Sequence, residues 1–432
     1  MVMTTSEISS FIDQNPMPKA WFKAAEYGHT EVLTHLLSTN EVSDIDMLDE
    51  ESLRGESTAL HIAIRHNRDE TVRYLCTKEA KLDLDAQEGE HQLNALFMAI
   101  YLRRMSILDY LLTNYPGLIK TRGFYGYTPL QAAVTLFCTW KNLDIIKLLI
   151  ARGCNAQDQL DDGSYILDWC MAGNISLPEG VGSDTTIIAA HLSMIEYLLE
   201  NGADAAKATK PLVTAAYVGA LPIVEKLCEA GIDVNHKAEC NYSYNDKISA
   251  LLAATRQGHG SIVKYLTQVP GIDLNCTSSN DRTPLHWAVY LGHDSITQHL
   301  WQQMHVNRFT RESWKGMTVF HMAVFGEQLD IVKWLITVIG EDKLAVDAHG
   351  RDALQIAAFY SRSRGKTSAT EIYLRQTNFY TPGSKGRYHQ TADEMNPKGA
   401  SESLESSSTA NNLSQTTIFN LSDNHQPSHQ PS

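Results

Sequence analysis

Asp168, Cys170 and His191 are the residues of this chain whose types could together perform nucleophilic chemistry. A thiol attacks as its thiolate, so a Cys–His–Asp arrangement works when a base and its orienting carboxylate come close in space. Nothing in the spacing of these three compels that arrangement, and buried structural roles account for the same residues. Other chemical signatures are missing. The sequence has no GxxxxGK[ST] phosphate loop, no GxGxxG between a strand and a helix, and no HExxH. It has no GxSxG elbow and no kinase motif set, and its Cys–His pairs do not fall at zinc spacings. The sequence therefore assigns no catalytic residue, no metal site and no cofactor.

Composition narrows the partners. Across 432 residues, 43% are hydrophobic and 20% charged, enough apolar material for a buried core. Lys and Arg number 36 against 50 Asp and Glu, a net charge of -14. That sign opposes direct binding to nucleic acid or to an anionic membrane, and it favours a basic protein partner. Residues 1–19 lack a basic segment followed by an apolar run, so export through a leader peptide is not expected. The uncharged stretch from Gly123 to Trp140 contains Gly126, Pro129 and Gln131 and does not read as a membrane helix. Seven cysteines without a CxxC pair read as reduced thiols of a cytoplasmic or nuclear protein.

The elements that carry these residues are set by a repeat. Thr283-Pro284-Leu285-His286-Trp287-Ala288 is followed by Gly292-His293 and an apolar helix. The frame returns at Thr58–Ala63, Thr128–Ala133 and Thr318–Ala323, with weaker copies from Asn94, Ser164, Lys210, Ser249 and Asp352. A first copy without the turn residues runs from Ala20 to His29. One apolar anchor marks every copy: Trp21, Leu60, Leu96, Leu130, Ile166, Leu212, Leu251, Leu285, Phe320 and Leu354. The steps between anchors are 39, 36, 34, 36, 46, 39, 34, 35 and 34 residues, a base period near 34. Each part of the frame has a physical reason. Thr283 is an N-cap, Pro284 suits the first helical position, Ala288 permits close helix approach, and Gly292 permits a tight turn.

In its T-P-L-H-x-A signature and its period, the chain resembles the ankyrin-repeat family over about Pro18 to Arg375. The resemblance implies an all-α solenoid of stacked helix-turn-helix units joined by β-hairpin loops. It bounds an N-terminal extension at 1–17, the solenoid at 18–377 and a disordered polar tail at 378–432. It also implies that His61, His286 and His321 are structural hydrogen-bonding residues.

Departures from the frame locate irregularities. The step of 46 places about 12 extra residues near 174–185, a loop between the helices of unit five. The link 41–56 is acidic and reads as a solvated loop or a docking strip. Unit ten has Ser361 to Lys366 where a compact turn is expected, as suits an imperfect cap.

What remains for function is a surface. The resemblance implies a concave face built from hairpin tips and first-helix ends. The position aligned on Tyr290 holds Tyr101, Tyr217, Tyr290, Phe325 and Phe359, with Arg65 and Arg256 in other units. Arg282, Trp314, Lys315 and Arg351 are candidates at the hairpin tips. Aromatic residues and Arg are enriched at binding hot spots. The expected function is a non-enzymatic scaffold that binds a protein or peptide in this groove, as an adaptor or an indirect transcriptional co-regulator. The alternative is an enzyme with its site near unit five.

Overall fold

The computed structural model describes residues 3–49, 57–77, 84, 93–123, 126–171, 185–239, 246–278, 280–303, 305–308, 310–312, 315–339 and 345–377. Residues 174–184 of the loop expected near 174–185, residues 50–56 of the acidic link, Trp314 and the polar tail 378–432 lie outside the described residues.

Within the compact unit Met1–Phe379, one short helix precedes a series of helix pairs. It is α1 (Thr5–Gln14). The pairs are α2 (Lys19–Tyr27) with α3 (Thr30–Ser38), α4 (Ala59–Arg65) with α5 (Asp69–Thr77), and α6 (Ala95–Tyr101) with α7 (Met105–Asn114). Next come α8 (Pro129–Trp140) with α9 (Asp144–Ala151), α10 (Ile166–Trp169) with α11 (Thr185–Glu200), and α12 (Pro211–Val218) with α13 (Leu221–Glu229). The series ends with α14 (Ala250–Gln257) and α15 (Gly260–Leu266), α16 (Pro284–Leu291) and α17 (Asp294–Gln302), α18 (Val319–Phe325) and α19 (Leu329–Val338), and α20 (Ala353–Ser363) and α21 (Ala369–Gln376). The fold is all-α. Among the described residues the links form one two-stranded ladder, β1 (Ala238–Glu239) with β2 (Lys247–Ile248), and three isolated bridges. The hairpins are held less by strand pairing than by side chains. Asp233 and Asp273 accept the backbone N–H of Asn235 and Asn275. Asn235 then clamps the next link by donating to Gly271 O and accepting from Asp273 N, and Asn275 does the same to His305 and Asn307.

Local chemistry explains where the first helices start. Thr58, Asn94, Thr128, Ser249, Thr283, Thr318 and Asp352 each accept the N–H three residues on, satisfying an orphan donor. The first helices are buried nearly all round. Ala63, Ala99, Ala254, Ala288 and Ala323 are fully enclosed, so adjacent backbones pack closely. The second helices bury one face only, as with Val72 and Leu75, or Ile331, Val332 and Leu335.

Neighbouring units are braced by side chains that reach back to the end of the preceding first helix. Arg68 Nε donates to Glu26 O (2.8 Å), His259 Nε2 to Tyr217 O (2.9 Å), His293 Nε2 to Arg256 O (3.4 Å) and Gln328 Nε2 to Tyr290 O (3.3 Å). On the outer helices, Arg73 lies over Tyr110, Lys147 over Tyr197 and Lys333 over Tyr373, each cation covering the ring of the following unit.

Two features extend the sequence reading. The N-terminal extension carries α1, closed by a Thr4–Glu7 capping box, with Phe11 edge-on to His29 at 5.3 Å. The αL position between paired helices is glycine in several units but Asn67, Arg103 and Glu327 in others. Gly258 shows why glycine is needed where it occurs. Its φ is +77°, and a Cβ there would stand 2.8 Å from His293 Cε1. Gly258→Ala is expected to cost about 1–2 kcal/mol from the left-handed backbone alone, and more from displacing His293. Gly117→Ala, where nothing lies within 4 Å, is the control. Urea unfolding of both variants checks this; equal midpoints would refute the brace.

Candidate functional site

In α4, α12, α14 and α16 the seventh residue after the N-cap sits at a helix end whose carbonyl the next unit braces, which fixes the backbone at Arg65, Tyr217, Arg256 and Tyr290. Over α14 to α20 these side chains and their neighbours form one strip. Trp287 meets Tyr290 edge-on at 6.0 Å, Tyr290 stacks on Phe325 at 5.3 Å, and Phe325 contacts Tyr360 at 4.5 Å. Phe359 meets Tyr360 edge-on at 5.1 Å.

Cations line this strip. The Arg256 guanidinium lies 4.6 Å from the Trp287 ring centre, and that of Arg282 lies 5.2 Å from it. Lys315 donates to Tyr360 Oη at 2.6 Å and lies over the Phe325 ring, while Arg351 lies over Phe359. Three carboxylates balance them from beneath. Glu312 and Asp347 are fully buried and Asp246 is half-buried. Glu312 Oε1 accepts the N–H groups of Lys315 and Met317, and its other oxygen faces Arg282 Nε at 3.9 Å. Asp347 takes the N–H groups of His349 and Arg351 and the Arg351 guanidinium. Those contacts hold the Asp347 carboxyl below its ordinary range against the effect of burial. Burial lowers the pKa of Arg282.

The structure sorts the sequence candidates. Tyr290, Phe325, Phe359, Arg256 and Arg282 come together; Tyr101 and Tyr217 lie on α6 and α12, away from them. Two were expected to be exposed and are not. Phe325 is 5% exposed because Tyr290 and Tyr360 cover its two faces. Arg282 is 3% exposed because it lies against Trp287 and above Glu312. Trp314 is outside the described residues. The sequence reading passed over Trp287, Tyr360 and Glu312. Trp287 occupies the variable position of the T-P-L-H-x-A signature, and its size there was the available signal. Tyr360 takes the stacking place that alignment gave to Phe359.

The residues with chemical potential are committed elsewhere. Asp168 Oδ1 accepts the backbone N–H groups of Thr209 (2.6 Å) and Lys210 (2.9 Å), and Oδ2 accepts that of Tyr165 (3.0 Å). Cys170 Sγ faces Ile166 O and His191 Nδ1 faces Ile187 O. Burial pushes the thiols of Cys76 and Cys154 up to about 12 and those of Cys228 and Cys276 to about 11, away from thiolate chemistry. Between units three and four, a 320 Å³ depression is lined by Arg103, Arg104, Asn142 and Asp144. There Arg104 serves the carbonyls of Ile64 and Arg65, and Asn142 serves the N–H of Asp144. Among the described residues no helix is long and apolar enough to cross a membrane, and no cluster of His, Cys, Asp and Glu could hold a metal ion.

The model for three-copy ankyrin repeats matches residues 21–122 and 236–310, and that for a single ankyrin repeat matches 125–162. The chain belongs to the ankyrin-repeat family. Ankyrin repeats are protein-interaction scaffolds. The helix pairs outside those windows, including α18 to α21, continue the same frame in space. The chain is 24% identical over 280 residues to alpha-latrocrustotoxin-Lt1a of Latrodectus tredecimguttatus, covering 61% of this chain and 17% of the toxin. It is 27% identical over 219 residues to Palmitoyltransferase AKR1 of Lachancea kluyveri, covering 47% of this chain and 28% of that protein. With alpha-latroinsectotoxin-Lt1a of L. tredecimguttatus it shares 30% identity over 137 residues, 9% of the toxin. The chain thus spans less than a third of each of these relatives.

The repeated histidines of this ankyrin protein are structural. His286 Nε2 donates to Thr310 O, leaving Nδ1 to accept from Thr283; His321 does the same with Ala345 and Thr318. Burial lowers both pKa values from 6.5 to about 4, and a proton on Nδ1 would oppose the threonine N–H. The unfolded imidazoles bind protons below about pH 6.5 while the folded ones do not, so stability is full above that pH and is lost as pH falls toward 4. Each contributes about 3 kcal/mol across that window. Gln131 and Gln355 occupy the same frame position, each with its side-chain oxygen accepting the N-cap N–H. A His286→Gln/His321→Gln variant is therefore expected to melt with a flatter pH dependence between 6.5 and 4 than the parent. Parallel curves in a pH series of thermal melts would disprove the assignment.

Proposed function

We propose that this chain is a non-enzymatic adaptor that holds a protein or peptide segment on the concave face of its repeats, in the cytoplasm or the nucleus. The observation that carries this reading is the strip Trp287–Tyr290–Phe325–Tyr360. It joins three repeats across a face otherwise available to a partner, and it is bordered by Arg256 and Lys315. Large rigid rings and Arg side chains bury much contact area for little lost conformational freedom. The commitment of Asp168 to the Thr209–Lys210 backbone, together with the raised thiols, supports a binding role over a catalytic one. A role beside a transcription complex would be indirect, because a net charge of -14 opposes contact with DNA. The same charge favours encounter with a partner that is basic as a whole.

The test is affinity purification with cross-linking and mass spectrometry. The intact chain is compared with an Arg256→Ala/Tyr290→Ala variant whose melting curve shows that it folds. A defined protein retained by the intact chain and reduced at least tenfold in the variant supports the groove. Equal retention by both places binding on another surface and ends this reading.

A further inference from the structure

The strip has a charge layering that points to the chemistry of its occupant. Across each ion pair the carboxylate lies deeper than its cation. Side-chain exposure is 3% for Arg282 over 0% for Glu312, 11% for Arg351 over 0% for Asp347, and 25% for Arg256 over 17% for Asp246. The anions are also spent. Glu312 and Asp347 each accept two backbone N–H groups as well as facing an arginine. Arg256 and Arg282 are held loosely by comparison, at 3.5 Å from Asp246 and 3.9 Å from Glu312, whereas Arg351 meets Asp347 at 2.6 Å. Among the described residues, Arg282 Nε is buried without a hydrogen-bond partner. Two guanidinium groups share the one Trp287 ring, and Lys315 stands at the other end of the aromatic run. A chain with a net charge of -14 thus carries an aromatic strip bordered by Arg256, Arg282 and Lys315.

We propose that this strip receives an extended peptide segment in which carboxylates flank an aromatic or aliphatic side chain. The apolar side chain lies on Tyr290 and Tyr360, one carboxylate meets Arg256 above Trp287, and another meets Lys315. Arg282 supplies positive potential from below. Successive ring centres are 6.0, 5.3 and 4.5 Å apart, so the strip accommodates at most about five extended residues. Long-range and short-range charge act separately here. The Debye length is about 8 Å at physiological salt. Acidic residues elsewhere on the solenoid are therefore screened, while Arg256 and Lys315 touch the bound segment. The proposal rests on the groove reading above and adds the chemistry of the ligand.

The experiment is selection of a random peptide library displayed on phage against the intact chain, followed by affinity measurement on the synthesised winners. The expected result is enrichment of Asp or Glu next to Phe, Tyr, Trp or Leu. Binding should then fall at least tenfold for Arg256→Gln and for Lys315→Gln. It should fall equally when the peptide's acidic residues become Gln, a change that leaves the protein intact. Basic or uncharged winners that still lose affinity in Tyr290→Ala would overturn the acidic ligand and leave the groove standing. Winners indifferent to Arg256→Gln, Lys315→Gln and Tyr290→Ala, or no enrichment at all, would overturn both. Displacement of the winners by polyuridylate at matched charge would assign the strip to nucleic acid and also overturn the proposal.

Discussion

At the ends of the first helices α2, α4, α12, α14 and α16, the following unit supplies a donor to a backbone carbonyl. Arg68, Arg104, His259, His293 and Gln328 all make this reach, with different side chains delivering an N–H to the same place. A buried carbonyl without a donor is costly, so each unit depends on its neighbour for closure. The reach also explains the turn between helices. The donor crosses the αL residue of the preceding unit so closely that a Cβ at Gly219 or Gly258 would strike His259 or His293. Helix end, turn and brace are therefore one constraint repeated along the chain, and stability is shared between neighbours as expected for stacked repeats.

The brace has a functional consequence. It fixes the backbone at Tyr217, Arg256 and Tyr290, each at or beside the end of its first helix. A binding surface on such ends is organised before any partner arrives, which lowers the ordering cost of association. Toward the C-terminal repeats the side chains at these ends are large enough to touch one another, and the strip from Trp287 to Tyr360 results.

Polar burial here follows one economy. The Thr283–His286 and Thr318–His321 pairs close a helix start and reach the next hairpin at once, with neutral imidazoles. Asp168 does a related task across units by capping the backbone at Thr209 and Lys210. Glu312 and Asp347 hold hairpin backbone while facing arginines. Groups that could have served catalysis are used instead to satisfy backbone across the 34-residue repeat.

The repeat frame is legible along the chain. N-caps at Thr58, Asn94, Thr283 and Asp352, the enclosed alanines and the one-sided apolar spacing of the second helices act within a few residues, so their pattern is readable along the chain. The α1 helix was readable too, through the Thr4–Glu7 box, but the repeat drew no attention to it. Packing between units sets which of the candidate binding residues meet. Whether Phe325 is exposed depends on Tyr290 and Tyr360, 35 residues to either side. Whether Arg282 is a tip or a buried cation depends on Trp287 and Glu312. Whether Asp168 is a catalyst or a cap depends on the backbone at Thr209. Each outcome is set by packing between units, and that packing joins residues whose distance along the chain carries no local signal.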